Sequence, residues 1–353
     1  MRSMQVLEFG QPLVQTESAV PVPTGKEILL RVKAAGVCHT DLHLWHGGYD
    51  LGHGKRLSMA ERGVKLPLTM GHENVGMVLA VGDEVRNVKV GDVRLVYPWN
   101  GCGHCEVCLA GQENYCLTPC TVGINRPGGY SDHLVVPDER YLVDLKGVSA
   151  IKAAPLACSG LTCYSALRKF NQARLQRNHM VIIGAGGLGL MALALLKAMG
   201  AKGAVVVEPD AARRQAALDA GAVAVVDPNA DDAAQQIQKA VGGAVYDVLD
   251  FVSNPQTTEL GFNVVTKGGH MVLVGLFGGA APWPLPLIAM RAITIQGSYV
   301  GSLGELQELV ELVAKENLSL IPVTTCSLDA LGQALQDLEQ GKILGRMVMT
   351  PEA

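Results

Sequence analysis

Two hydrophobic patterns divide this chain. Up to about residue 155 the apolar residues come in short, β-branched runs broken by glycine and proline. EILLRVKAAGV, NVGMVLAVGDEV and GDVRLVYPW predict strands and turns of a mainly β region. Near residue 180 the pattern changes. HMVIIGAGGLGLMALALLKAMGAKGAVVVEPDAARRQAALDAGA reads as strand, glycine turn, long apolar helix, strand and helix, and AVYDVLDFV and GGHMVLVGLFG continue the buried strands. Such alternation predicts an α/β unit with a doubly wound parallel sheet. Two amphipathic segments, LGELQELVELVAKENL and DALGQALQDLEQGK, and a short strand, GRMVMT, close the chain.

A length of 353 residues fits two domains, because single cores stop growing near 250–300 residues. The net charge of −4 gives no reason to expect nucleic acid or an anionic membrane as partner. No apolar run is long enough to span a bilayer, and MRSMQVLEFGQ lacks the apolar core of a signal peptide, so a cytoplasmic protein is expected. Nine cysteines then call for metal binding or catalysis before disulfides, since that compartment keeps thiols reduced.

Gly184, Gly186 and Gly189 form G-x-G-x-x-G directly after the apolar strand MVII and open the helix LMALALLKAMG. Glycine there permits a tight turn and close backbone approach to a pyrophosphate, which the helix N-terminus favours electrostatically. The cofactor stretch thus includes Gly187 and Leu188, and Glu208, which ends the next strand, is placed to accept hydrogen bonds from ribose hydroxyls. A carboxylate at that point repels a 2′-phosphate, so NAD is expected over NADP; Arg213, close downstream, is able to pair with a phosphate. Arg214 reads as a solvated charge.

CGHCEVCLAGQENYC sets Cys102, Cys105, Cys108 and Cys116 at spacings that suit a closed tetrahedral zinc, a structural site. An iron–sulfur cluster is the alternative for the same spacing. Cys120 reads as a spare thiol and His104 as an exposed neighbour. A second set is scattered: Cys38 in GVCHTDLH, His72 and Glu73 in MGHENVG, and Cys158 in APLACSGLTCY. Two cysteines, a histidine and a water make a catalytic zinc set, but spacing does not establish that these residues meet.

GVCHTDLHLWHGG, KLPLTMGHENVG, the four-cysteine loop, CSGLTCYSAL and GAGGLGLMA occur in one order over essentially the whole chain. In this the sequence resembles the zinc-dependent medium-chain alcohol dehydrogenases, closer to the yeast and bacterial branch than to the mammalian liver branch. The resemblance implies a GroES-like catalytic domain (1–158 and 298–353) and a Rossmann domain (159–297). It also implies two zinc ions per chain, the catalytic one held by Cys38, His72 and Cys158, and reversible oxidation of a primary or secondary alcohol with hydride transfer to NAD⁺.

It further implies that Glu73 lies near the metal and that Asp41 orients the histidine ligand. Thr40 would touch the substrate oxygen and His43 end a proton relay, a role its ordinary pKa suits. His39 and Arg346 are implied near the pyrophosphate, Thr162 beside the nicotinamide, and the backbone around Val274 and Leu276 at its carboxamide. Trp45, Tyr49 and Trp99 are expected to border the substrate pocket. A homo-oligomer, tetramer before dimer, is implied as well. Polyol, threonine or formaldehyde oxidation, or a non-catalytic NAD-binding relative, are the alternatives.

One departure from the family pattern is DLGHGKRLSMAERGV, between WHGGY and KLPL, about a dozen residues longer than the short loop of the yeast-like branch. It reads equally as a lid over the pocket or as a solvated decoration.

Overall fold

The computed structural model describes residues 1–281, 283–318 and 321–351. Both sequence patterns become the expected architecture. The mainly β unit is built on a seven-stranded sheet in which Leu142–Asp144, Val93–Val96, Glu73–Val81, Ile28–Val37, Arg346–Met349 and Val323–Cys326 lie side by side, with His133–Val136 also paired to Ile28–Val37. The last two strands come from the C-terminal end of the chain, so this unit is closed only when the chain returns to it. A three-stranded sheet of Val14–Glu17, Arg2–Val6 and Leu68–Thr69 completes it.

Strand Ile28–Val37 is buried almost throughout, because it is paired on both edges and packed against the turn Ala154–Ala157. Its antiparallel register sets Gly36 opposite Glu73, and the returning strand sets Val348 opposite Gly36. This register brings the end of one strand (Val37), the start of a second (Glu73) and the start of a third (Arg346) to one point.

The second unit is a six-stranded, wholly parallel sheet. Its order is Ala224–Val226, Ala204–Val207, Met180–Ile183, Val245–Asp250, Val265–Leu273, Thr294–Gly297. In chain order that is 3-2-1-4-5-6, the dinucleotide-binding arrangement, with its reversal between Met180–Ile183 and Val245–Asp250. MVII and AVVV are buried at every position, as strands covered on both faces by helices must be. Helix Ser159–Arg168 packs against Gly187–Ala198 of this unit and Leu303–Lys315, joining the two halves of the molecule. A cleft opens between them.

The extra loop folds as a β-hairpin, Gly48–Gly52 paired with Lys55–Ser58. Among the described residues, no helix is long and apolar enough to cross a membrane.

Candidate functional site

The strand register explains how distant residues meet. Cys38 follows strand Ile28–Val37, His72 precedes strand Glu73–Val81, and Cys158 joins the turn Ala154–Ala157 to helix Ser159–Arg168, packed on both. The ligand atoms of Cys38, His72, Glu73 and Cys158 all lie within 4.8 Å of one another, and all four residues are buried. The Cys38 and Cys158 sulfurs are 3.9 Å apart. Gly36 is required by this convergence: a Cβ there would lie 1.8 Å from Glu73 Oε2.

Asp41 lies behind the histidine, its Oδ1 3.2 Å from His72 Nδ1. Its Oδ2 accepts from the Cys38 backbone N–H (2.9 Å) and from the Tyr130 hydroxyl (2.7 Å). Trp99 meets the His72 ring edge-on at 5.5 Å and donates its indole N–H to the Ala157 carbonyl. Neither His72 ring nitrogen has a hydrogen-bond partner; Nδ1 is in ion-pair contact with Asp41, and Nε2 has no polar contact of that kind. An orphaned imidazole nitrogen facing two thiols is the donor set of a zinc site, and the residues fit that ion. The thiol of Cys158 hydrogen-bonded beside it holds the Cys38 thiol well below its usual range, against the effect of burial.

Glu73 belongs to the cluster but does not line the cleft. Its Oε1 accepts from the Ser159 N–H (3.2 Å), and its Oε2 is hydrogen-bonded to the buried Arg346 guanidinium. Burial pushes the Glu73 carboxyl up to about 7, and Arg346 opposes that rise. Arg346 also borders the glycine turn: a Cβ on Gly187 would lie 3.0 Å from its Cδ. It therefore stands between the metal cluster and the turn.

That turn has the form a dinucleotide needs. Gly184 has a φ of +97°, and a Cβ on Gly189 would fall 2.0 Å from the Gly184 carbonyl oxygen. Helix Gly187–Ala198 starts at Gly186 with no side-chain cap, so its first N–H groups are left for an anion. Glu208 Oε2 accepts from the Ala185 N–H (2.8 Å) and Oε1 from the Asp210 N–H (3.1 Å), which fixes the carboxylate beside the turn. Arg213 donates to the Gly341 carbonyl, and Arg214 is not a free solvated charge, since it donates to Glu208 O, Pro209 O and Asp227.

The cleft, about 290 Å³, runs from the metal cluster to this turn. Cys38, His39, Thr40, His43, Tyr49, Trp99, Cys158, Thr162, Leu188, Val274 and Leu276 line it. Trp45 does not. One face of helix His39–His46 meets the cleft; Trp45 lies off it, buried, its indole N–H bonded to the Gln11 carbonyl. His43 departs from expectation in another way. Burial, and then the charge of His39, bring its pKa down to about 4. Its ring lies 4.5 Å from that of Tyr49.

The four-cysteine loop closes as its spacing predicts. Cys102, Cys105, Cys108 and Cys116 bring their sulfurs within 4.8 Å of one another; Cys105 lies 3.3 Å from Cys108 and 3.8 Å from Cys116. Backbone N–H groups of Cys102, Cys105 and Thr118 point at sulfurs of the set, as they do toward thiolates. No disulfide joins them, and Cys120 is exposed outside the cluster. Neighbouring Glu113 accepts from the Gly101 N–H and the Tyr141 hydroxyl, tying the loop to the sheet.

Residues 24–147 match the family model of the alcohol dehydrogenase GroES-like domain, and residues 187–315 that of the zinc-binding dehydrogenases. The chain belongs to the zinc-type medium-chain alcohol dehydrogenases. An NAD-dependent alcohol dehydrogenase of Sulfurisphaera tokodaii is 36% identical, over 99% of this chain and 100% of that one. A D-arabinose 1-dehydrogenase (NADP⁺) of Saccharolobus solfataricus is 31% identical over 98% of this chain and 96% of its own. The crystal structure of the alcohol dehydrogenase from Aeropyrum pernix superposes with a TM-score of 0.87 at 30% identity, covering 99% of this chain and 100% of that one. For this dehydrogenase, sequence reasoning passed over Tyr130, which holds Asp41, and Tyr299, which lines the cleft; Arg62, which also lines it, was read only as one charge of the inserted loop. Nothing local to those residues signals a role; only the folded contacts do.

Proposed function

We propose that this enzyme oxidises a primary or secondary alcohol to the aldehyde or ketone, reversibly, with NAD⁺ as hydride acceptor. The observation that carries this reading is one cleft that joins the Cys38–His72–Cys158 cluster to the uncapped glycine turn and Glu208. Zinc held by Cys38, His72 and Cys158 would supply Lewis-acid stabilisation of the reacting oxygen, and NAD⁺ the acceptor for the hydride. A second zinc, held by Cys102, Cys105, Cys108 and Cys116, is purely structural, because four sulfurs leave no open position.

The remaining work belongs to the chain. Asp41, held by Tyr130 and the Cys38 N–H, fixes the His72 ring so that Nε2 faces the two sulfurs. Thr40 offers the first hydroxyl to a proton leaving the substrate. His43 is neutral at working pH, so it receives that proton path as a hydrogen-bond acceptor and passes the proton on without storing it. Glu208 keeps lone pairs for ribose hydroxyls and repels a 2′-phosphate, while Arg214 is committed to Asp227 and backbone carbonyls; both favour NAD over NADP.

A homo-oligomer, tetramer before dimer, belongs to the same reading. Strand Thr294–Gly297 is an open sheet edge, and Leu285 and Met290 nearby are 75% and 64% exposed. A cytoplasmic location is in keeping with nine cysteines that are all free.

Initial rates of NADH formation across primary, secondary, cyclic and aromatic alcohols, with NAD⁺ and NADP⁺ in parallel, test the activity. Metal analysis of the native protein and of Cys38→Ser tests the sites: the variant should keep one zinc and lose turnover. Full activity in Cys38→Ser would sink the zinc assignment.

A further inference from the structure

The inserted hairpin is neither a loose lid nor a surface decoration. It reaches from the mainly β unit to the nucleotide unit, where the Gly279 N–H donates to the Asp50 carbonyl (3.3 Å). The approach is close enough that a Cβ on Gly278 would lie 2.6 Å from that carbonyl oxygen, and one on Gly52 would lie 2.7 Å from the Ala280 nitrogen. The turn that follows is anchored by the buried side chains of Met59 and Val64, with the Arg62 and Val64 N–H groups both donating to the Met59 carbonyl. Arg62 is therefore carried on a fixed support rather than on a free loop.

Its guanidinium lines the cleft, 5.3 Å above the Tyr49 ring. Tyr49 in turn lies against His43. On the other side Tyr299 meets Trp99 at 5.9 Å, and Trp99 meets His72. Arg62 is thus joined to the proton-relay end through Tyr49, and, through its interaction with Tyr299 and then Trp99, to the metal end of the pocket. Arg62 is exposed at the cleft mouth; the partial desolvation of its guanidinium opposes its charge, yet the Tyr49 and Tyr299 phenols hold it above its usual value. Burial pushes Tyr49 up to about 12, so that phenol stays neutral and does not balance the cation.

Among the described residues, no carboxylate forms an ion pair with Arg62. Two phenol oxygens satisfy at most part of a guanidinium's five N–H donors. Arg346, the other arginine near the metal, is already paired with Glu73. Arg62 is thus a solvent-facing cation at the substrate end of the cleft with no carboxylate partner among the described residues, whereas Arg213, which also lines the cleft, lies by the glycine turn and donates to the Gly341 carbonyl. A carboxylate matches that planar fork with two parallel hydrogen bonds.

We propose that Arg62 is a specificity-determining residue, and that the preferred substrates are alcohols, or the matching aldehydes, bearing a carboxylate at the end remote from the reacting carbon. The proposal rests on the dehydrogenase reading above. Apolar Ile124 and Trp99 line the same cleft and suit the carbon chain between the two ends. The hairpin contact with the nucleotide unit keeps Arg62 in place across the cleft mouth.

The test compares 4-hydroxybutanoate and 6-hydroxyhexanoate with 1-butanol and 1-hexanol, using NAD⁺ and the full-length enzyme, its Arg62→Met and its Arg62→Lys variants. The ratio of kcat/KM for a hydroxy acid to that for the alkanol of equal length should favour the acid, and fall about tenfold or more in Arg62→Met, mainly through KM for the acid. Arg62→Lys should keep part of that ratio. In the unmutated enzyme, added salt should raise KM for the acids more than for the alkanols. An equal ratio in enzyme and Arg62→Met, parallel losses on both substrate classes, or a native preference for the alkanols would overturn the proposal while leaving the dehydrogenase reading intact. Absence of turnover with every alcohol would remove both.

Discussion

Asp41 Oδ1 lies 3.2 Å from His72 Nδ1, and both side chains are completely buried. The carboxylate is itself gripped by the Tyr130 hydroxyl and the Cys38 N–H. Partners of this kind typically set metal affinity by 10–100-fold. Tyr130→Phe removes one grip without burying a new polar group. It should cost about 1 kcal/mol of stability, and zinc should be lost to a chelator faster than from the unmutated enzyme. Asp41→Asn should lose zinc faster still. Chelator competition followed by metal analysis checks both; zinc retention unchanged in the two variants would separate Asp41 from the metal.

The four-cysteine loop predicts a different outcome. Cys105→Ser breaks a set whose sulfurs are 3.3 and 3.8 Å from Cys105, outside the cleft. Zinc content should fall from two to one per chain, and thermal unfolding should begin at lower temperature, because structural zinc binding is folding free energy. The test reads metal per chain against melting temperature. Unchanged zinc content would mean that the cluster holds none.

His43 makes a pH prediction with a definite sign. Its folded pKa is about 4, lowered from 6.5 by burial and then by His39. The unfolded chain therefore binds more protons between those values, so this residue's contribution to stability is lost as pH falls from about 6.5 towards about 4. His43→Asn should flatten the acid side of the stability curve relative to the unmutated enzyme. Denaturant midpoints at neutral and mildly acidic pH measure that difference. An identical slope in both proteins would show that His43 is not desolvated.

Glu208 carries the prediction about cofactor choice. Glu208→Ala removes the repulsion of a 2′-phosphate and frees the Ala185 and Asp210 N–H groups that it accepts from. The ratio of kcat/KM for NAD⁺ over NADP⁺ should fall by about tenfold or more, mostly through a higher KM for NAD⁺. A ratio that does not move would place the discrimination elsewhere on the ribose.

Much of this was legible residue by residue. MVII followed by Gly184, Gly186 and Gly189, with Glu208 ending the next strand, is a local arrangement, and the fold closes it as its spacing implies. The four-cysteine loop is equally local. Trp45 was not legible. It shares a short helix with Thr40 and His43, but only packing decides which face meets the cleft, and Trp45 turned to the core and to Gln11. The lowered pKa of His43 depends on its burial in the folded cleft and then on His39, neither of which the sequence displays. The hairpin read equally as a lid or as a solvated decoration; only the fold shows its Asp50 carbonyl bonded to Gly279.

The sequence by itself determined the element types, the glycine turn and the structural metal loop, because each is closed by residues a few positions apart. Tertiary structure alone decided that Cys38, His72 and Cys158 share one point, and that Arg62 faces the cleft beside Tyr49 and Tyr299. The physical reason is register. Pairing Gly36 with Glu73 places two strand ends together whatever the 33 positions between Cys38 and His72 hold, so long as that segment folds out of the way. No periodicity along the chain encodes that meeting; the packed sheet does.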